Sequence, residues 1–169
     1  MKIFKTLLIS SALSVMPFMA YSADYIAVNK EGKLYDQSNT KYVTENQNGD
    51  EVTVMPGMVF MTMEHLPGWY KIEYSPGLHA FLPEQIVATT FKNPVSGSYK
   101  VTNNPGETVQ IQNSVNQWTV TSKGKTYKGI LNGNIVIFSD DNNKLQYSLT
   151  DTGNGPIVIT YDNDVTKFF

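Results

Sequence analysis

The sequence predicts an all-β protein, and three features of it carry that reading. Apolar residues recur at every second position in Val52-Val54, Tyr70-Ile72-Tyr74, Val109-Ile111, Trp118-Val120, Ile135-Ile137, Leu145-Tyr147-Leu149 and Ile157-Ile159, the period of a strand with one buried face. Turn-forming groups punctuate the chain: Glu31-Gly32, Asn48-Gly49-Asp50, Pro56-Gly57, Pro67-Gly68, Pro76-Gly77, Pro105-Gly106, Lys123-Gly124, Asn132-Gly133, Asp140 to Asn143 and Gly153-Asn154-Gly155-Pro156. Short strands between turns about eight to twelve residues apart mean a sandwich or barrel. Past the leader, no window spaces apolar residues as a helix does.

The leader spans residues 1–22 and is expected to be removed. Lys2 and Lys5 form a positive start, Leu7 to Met19 an apolar run, and Ala20-Tyr21-Ser22 sets small residues at the −3 and −1 positions of a cleavage site. Ser10, Ser11, Ser14 and Pro17 interrupt that run, which is too short to span a bilayer securely. No transmembrane segment is therefore expected after signal removal. The chain contains no cysteine, which rules out a lipoprotein anchor as well as thiol catalysis, thiolate metal sites and disulfides. A periplasmic or secreted protein held together by packing and sheet pairing follows.

Charge narrows the partner. All 13 basic residues are lysine, and removing Lys2 and Lys5 leaves 11 of them against 15 carboxylates, a net charge of −4. Nucleic-acid binding draws on a positive field and on bidentate arginine contacts, so no nucleic-acid partner is expected. Residues 24–90 carry four lysines and nine carboxylates, whereas residues 91–169 carry seven and six. No carboxylate cluster stands out, and the acidic first half reads as solubilising charge rather than a docking site for a cation.

The change of charge falls near Asn93-Pro94-Val95-Ser96-Gly97, which is also the best boundary between two modules. Before it lie Gly57, Val59 and Met61, then Gly68-Trp69-Tyr70-Lys71-Ile72, then Phe81-Leu82 and Val87. These three segments resemble the opening, central and closing strands of bacterial SH3-like domains. The resemblance covers residues 51–88 well and 24–50 poorly. It lacks the family's early Asn-Val-Arg-x-Gly-Pro segment, and Ala80 stands where glycine is usual. It implies an SH3-like barrel over residues 23–92 and a role in binding rather than catalysis.

Strand alternation sets Tyr70, Ile72 and Tyr74 toward the core and Trp69, Lys71 and Glu73 outward. An outward indole beside charged neighbours is either an anchor in a binding groove or a cap on the barrel's packing or its module interface. In SH3-type barrels the groove is lined by this tryptophan, a proline after the closing aromatic and aromatics of the first loop. The resemblance thus nominates Trp69, Pro83, Tyr35 and Tyr42, with a peptide, protein or cell-wall component as partner. Leu34-Tyr35-Asp36 matches the Leu-Tyr-Asp of eukaryotic SH3 domains, which bind polyproline helices. Ile86 occupies the place of a groove tyrosine.

Residues 93–169 read as an antiparallel up-and-down β meander or barrel of seven or eight strands, at 98–103, 108–113, 116–122, 125–131, 134–139, 144–150, 156–161 and 165–169. Gly97-Ser98-Tyr99-Lys100-Val101 and Tyr127-Lys128-Gly129 resemble small lipocalin-like barrels of bacterial envelopes. That resemblance implies an alternative function, carriage of a small apolar ligand inside the barrel. Strands this short favour an interior filled with side chains.

Catalysis finds little support. His65 and His79 flank Pro-Gly turns outside any nucleophile motif, no Gly-x-Ser-x-Gly occurs, and Glu64, Glu73, Glu84 and Glu107 are scattered. Hydrolysis of an envelope polymer by such carboxylates is the remaining enzymatic alternative. Met55, Met58, Met61 and Met63 with His65 would suit Cu(I), but alternation splits them between two faces, and packing is the better account. Asp140 to Asn143 and Asp162-Asn163-Asp164 lack the spacing of a calcium loop and read as hairpin tips. No catalytic, cofactor or metal site is assigned. The sequence points to an exported, non-catalytic binding or scaffolding protein.

Overall fold

A computed structural model of the chain describes residues 24–115 and 117–161. The leader, Asp162-Asn163-Asp164 and the strand expected over 165–169 lie outside these residues. The fold is all-β. Its first module contains β1 (Tyr25–Ala27), β2 (Gly32–Lys33), β3 (Thr53–Val54), β4 (Val59–Leu66), β5 (Trp69–Ser75) and β6 (Leu78–Pro83), followed by a 3-10 turn at Glu84–Ile86. One sheet has the order β1-β4-β5-β6, and β2 pairs with β3 in a separate ribbon. After the 3-10 turn the chain returns to its start, where Val87 pairs with Val28 and the Ala88 N–H donates to the Ala27 carbonyl at 2.9 Å. Val28, Leu34, Val52, Val54, Met58, Phe60, Ile72, Ala80 and Leu82 fill the centre.

The second module is a closed barrel of β7 (Gly97–Val101), β8 (Asn104–Ser114), β9 (Gln117–Ser122), β10 (Lys125–Asn132), β11 (Ile135–Ser139), β12 (Leu145–Asp151) and β13 (Pro156–Thr160). Each strand pairs antiparallel with the next. With an odd number of alternating strands, the first and last run the same way, and β13 closes on β7 as a parallel pair. That seam is short. Its ladder consists of Val158 opposite Val101, extended by the Thr102 N–H on the Val158 carbonyl at 2.8 Å. The Asn103 carboxamide completes it like a piece of backbone, donating to the Thr160 carbonyl at 2.8 Å and accepting the Thr160 N–H at 3.0 Å.

This use of Asn103 moves a turn. The sequence sets a turn at Pro105-Gly106, but the β7–β8 turn lies at Thr102-Asn103, and Pro105 and Gly106 belong to a bulged start of β8 in which Val101 pairs with Asn104 and Lys100 with Thr108. The bulge turns Glu107 onto the same inward row as Val109 and Ile111. Glu107 is 5% exposed. Its carboxylate accepts hydrogen bonds from the Ser122 hydroxyl, from Tyr147 Oη at 2.7 Å and from Asn104 Nδ2 at 2.9 Å, with Lys123 Nζ at 3.5 Å. Burial pushes this carboxyl up, but the Ser122 and Tyr147 hydroxyls and the Lys123 ammonium pull harder and hold it below the ordinary carboxylate range. Tyr147, buried beside that charge, is pushed up to about 12.

Elsewhere the barrel is filled by Val101, Val109, Ile111, Trp118, Val120, Val136, Phe138, Tyr147, Leu149 and Val158. At Gly129 an added Cβ would stand 2.7 Å from the Phe138 ring and 2.8 Å from Trp118 Cβ, so the wall there has no room for a methyl group.

The two modules share apolar contacts. Ile159 on the outer face of β13 belongs to the first module's core, with Ile157 packed against it. Ile135 and Ile137 on the outer face of β11 cluster with Ala27 and Val59. Tyr161 Oη accepts the Val59 N–H at 2.7 Å and lies 3.0 Å from Ser148 Oγ, and burial pushes its phenol up to about 12. Gly57 faces Ile157 across this junction: its φ is +91°, and a Cβ there would fall 2.2 Å from Ile157 Cγ2.

Three outcomes test this account. Gly57→Ala combines a strained backbone with overlap at the junction and is expected to cost about 2 kcal/mol or more, read by chemical denaturation. Thr150 is fully buried and its hydroxyl has no hydrogen-bond partner among the described residues, so Thr150→Val is expected to stabilise by about 1 kcal/mol in the same assay. For Glu107 the folded-state pKa lies below the unfolded one, so its contribution is present above the ordinary carboxylate range and disappears as pH falls through the depressed value. Melting curves between about pH 6 and about pH 3 are expected to show less acid destabilisation in Glu107→Gln than in the parent chain.

Candidate functional site

The nominated groove is organised by hairpin register. The β4–β5 turn at Pro67-Gly68 delivers Trp69 as the first residue of β5, directly opposite Pro83 at the end of β6. The Glu84 N–H donates to the Gly68 carbonyl at 2.9 Å and locks the 3-10 turn against the hairpin tip. Tyr35 arrives from the loop between β2 and β3. Its N–H donates to the Phe81 carbonyl at 2.9 Å and its carbonyl accepts the Phe81 N–H at 2.7 Å, so it lies beside the strand that carries Pro83. Its ring meets Trp69 edge to face, centroids 5.4 Å apart and planes at 85°.

The result is an open recess of about 470 Å³ lined by Thr40, Gly68, Trp69, Pro83, Glu84 and Gln85. All of these belong to the first module. Trp69 itself is half-buried, neither a core residue nor a free surface ring. Pro83 is buried and forms part of the wall, while Tyr35 buttresses the indole. Tyr42 contributes no wall: it is 44% exposed on the same loop, and Lys41 Nζ lies 5.3 Å from its ring centroid. The loop is fixed by the Asp36 N–H on the Tyr42 carbonyl at 2.9 Å and by Thr44 Oγ1 on Asp36 Oδ1 at 2.8 Å. Ile86 is buried with its Cδ1 against Gly32 and serves packing.

Glu84 gives the recess a carboxylate that sequence reasoning treated only as a scattered acid. Its Oε1 lies 3.4 Å from Nε2 of His65, whose ring stacks on Tyr70 with centroids 4.3 Å apart. The signal was present in Pro83-Glu84-Gln85-Ile86, where a proline ends the strand and the chain turns tightly. The recess can stack an apolar or planar group on the indole and offer Thr40, Glu84 and Gln85 as polar contacts.

A second recess of about 310 Å³ opens between the modules, with Tyr25, Met61, Tyr74, Leu145 and Tyr161 on its walls. Of the other methionines, Met58 is buried in the first module's core, Met55 packs against that core, and Met63 is exposed at the bulge in β4. Asp140 caps its own turn by accepting the N–H groups of Asn142 and Lys144, with Asn143 at φ +60°. Among the described residues no three His, Asp or Glu side chains group as metal ligands, and no helix is long and apolar enough to cross a membrane. Neither a family model nor a curated protein nor a solved structure matches this chain.

Proposed function

We propose that the protein is an exported, non-catalytic binding or scaffolding protein that recognises a peptide, protein or cell-wall fragment at the recess around Trp69. The observation that carries this reading is the Trp69 indole itself, opposite Pro83 and braced by Tyr35, in a recess lined only by the first module. A preformed aromatic surface loses little side-chain entropy on binding, which suits it to shallow recognition. An SH3-like reading of this module is supported by the 3-10 turn after β6 and the return of Val87 to pair with Val28. Carriage of an apolar ligand in the barrel has less support, because side chains occupy the interior and Gly129 faces Phe138 and Trp118 without spare room.

The test uses defined probes, proline-rich peptides and soluble peptidoglycan fragments, with affinity read by isothermal titration calorimetry in both proteins and contact read, in the parent chain, by the indole N–H resonance of Trp69. A bound probe is expected to shift that resonance. Trp69→Ala is expected to keep the far-ultraviolet circular dichroism of the parent while weakening binding by about tenfold or more. Undiminished binding in that variant overturns the proposal.

A further inference from the structure

The recess between the modules lies where the described chain leaves the barrel. Its walls are mostly apolar and come from both modules: Tyr25 of β1, Met61 of β4 and Tyr74 of β5 on one side, Leu145 of β12 and Tyr161 on the other. Tyr161 is fixed in that wall. Its N–H donates to the Gln146 carbonyl at 2.8 Å, while its Oη accepts the Val59 N–H at 2.7 Å and lies 3.0 Å from Ser148 Oγ. The chain beyond Tyr161 therefore sets out from the recess itself.

The residues that follow, Asp162-Asn163-Asp164-Val165-Thr166-Lys167-Phe168-Phe169, match this recess in three ways. The first is reach. Asp and Asn are the residue types that favour a reversal, and from Tyr161 to Phe168 an extended chain spans at most about 25 Å, enough to turn back and still meet both walls. The second is volume. A cavity of about 150 Å³ accepts one benzene ring, so a recess of about 310 Å³ has room for two. The third is charge. Among the described residues the charged groups lining the recess are Lys144 on the barrel side and Glu73 on the first module. The segment carries Asp162 and Asp164 first, next to the barrel, and Lys167 later, so opposite signs meet in the same order.

We propose that residues 162–169 turn back as a clasp and seat Phe168 and Phe169 in the recess between the modules. Tethering makes a contact of this size sufficient, because a short linker gives the two rings an effective concentration in the millimolar range. The clasp joins β4 and β5 of the first module to β12 of the barrel, adding a second link beside the one that Tyr161 makes to Val59 and Ser148.

The test uses the full chain and a double variant, Phe168→Ser with Phe169→Ser, both labelled with ¹³C at the methionine methyl groups. The Met61 resonance is expected to move between the two proteins, and that of Met63, exposed beyond the recess on the same strand, to stay where it is. The double variant is expected to lose about tenfold or more of the folded-to-unfolded ratio in chemical denaturation. Leu145→Ala is expected to cost less in the double variant than in the parent, since the partners it loses are the same. An unmoved Met61 methyl, undiminished stability of the double variant or strictly additive losses each overturn the proposal. So does a concentration-dependent dimer of the parent, seen by sedimentation and abolished in the double variant, which would assign the recess to a second copy of the chain. A small apolar molecule found in the parent's recess by native mass spectrometry, and retained by the double variant, overturns it as well.

Discussion

Strands β11, β12 and β13 are buried on both faces, and this double burial fixes the relation between the modules. Val136, Phe138, Tyr147, Leu149 and Val158 point into the barrel, while Ile135, Ile137, Ser148 and Ile159 turn outward against the first module or its linking tyrosine. Neither face can be exposed without returning apolar area to water, at roughly 25 cal/mol per Å². The junction also contains a directional element, since Tyr161 joins the Val59 backbone of one module to Ser148 of the other. A flexible tether would let the modules tumble, whereas this contact sets one orientation and leaves the Trp69 recess outside the shared surface.

Inside the barrel the same logic applies to polarity. A lone carboxylate among aliphatic side chains would be expected to protonate, yet Glu107 is held ionised because two hydroxyls, a carboxamide and a nearby ammonium replace its hydration. The bulge that brings Glu107 inward belongs to the same turn that frees Asn103 to seal the seam with Thr160. A chain without cysteine thus secures its closure by side-chain amides and satisfied polar groups rather than by a covalent link.

Much of this was legible in the residues. Alternation located the barrel strands to within a few positions, because one-sided burial imposes a period of two. The run Ile135-Val136-Ile137-Phe138 departs from alternation for the opposite reason, having no solvated face. Pro83 was nominated by the resemblance, and its place opposite Trp69 is set by the register of the β5–β6 hairpin. What stayed hidden depended on register across longer gaps. Pro105-Gly106 looks like a turn until Asn103 is seen to have its own task, and Glu107 looks like any surface acid until the bulge fixes which way it faces. Tyr42 came from a loop without periodicity, where the chain offers no rule for direction. Val115 and Ile130 fall outside the alternating pairs, and only coordinates show that both are exposed.

The odd strand count also separates the points at which the chain enters and leaves the barrel. Gly97 begins β7 at the end that holds the β8–β9 and β10–β11 turns, and Thr160 ends β13, parallel to it, at the opposite end. Traction between those two points runs along the strand directions, so the antiparallel ladders resist it together in shear instead of parting rung by rung. For a protein tethered at one pole and engaged by a partner at the other, such geometry makes the barrel a stiff spacer.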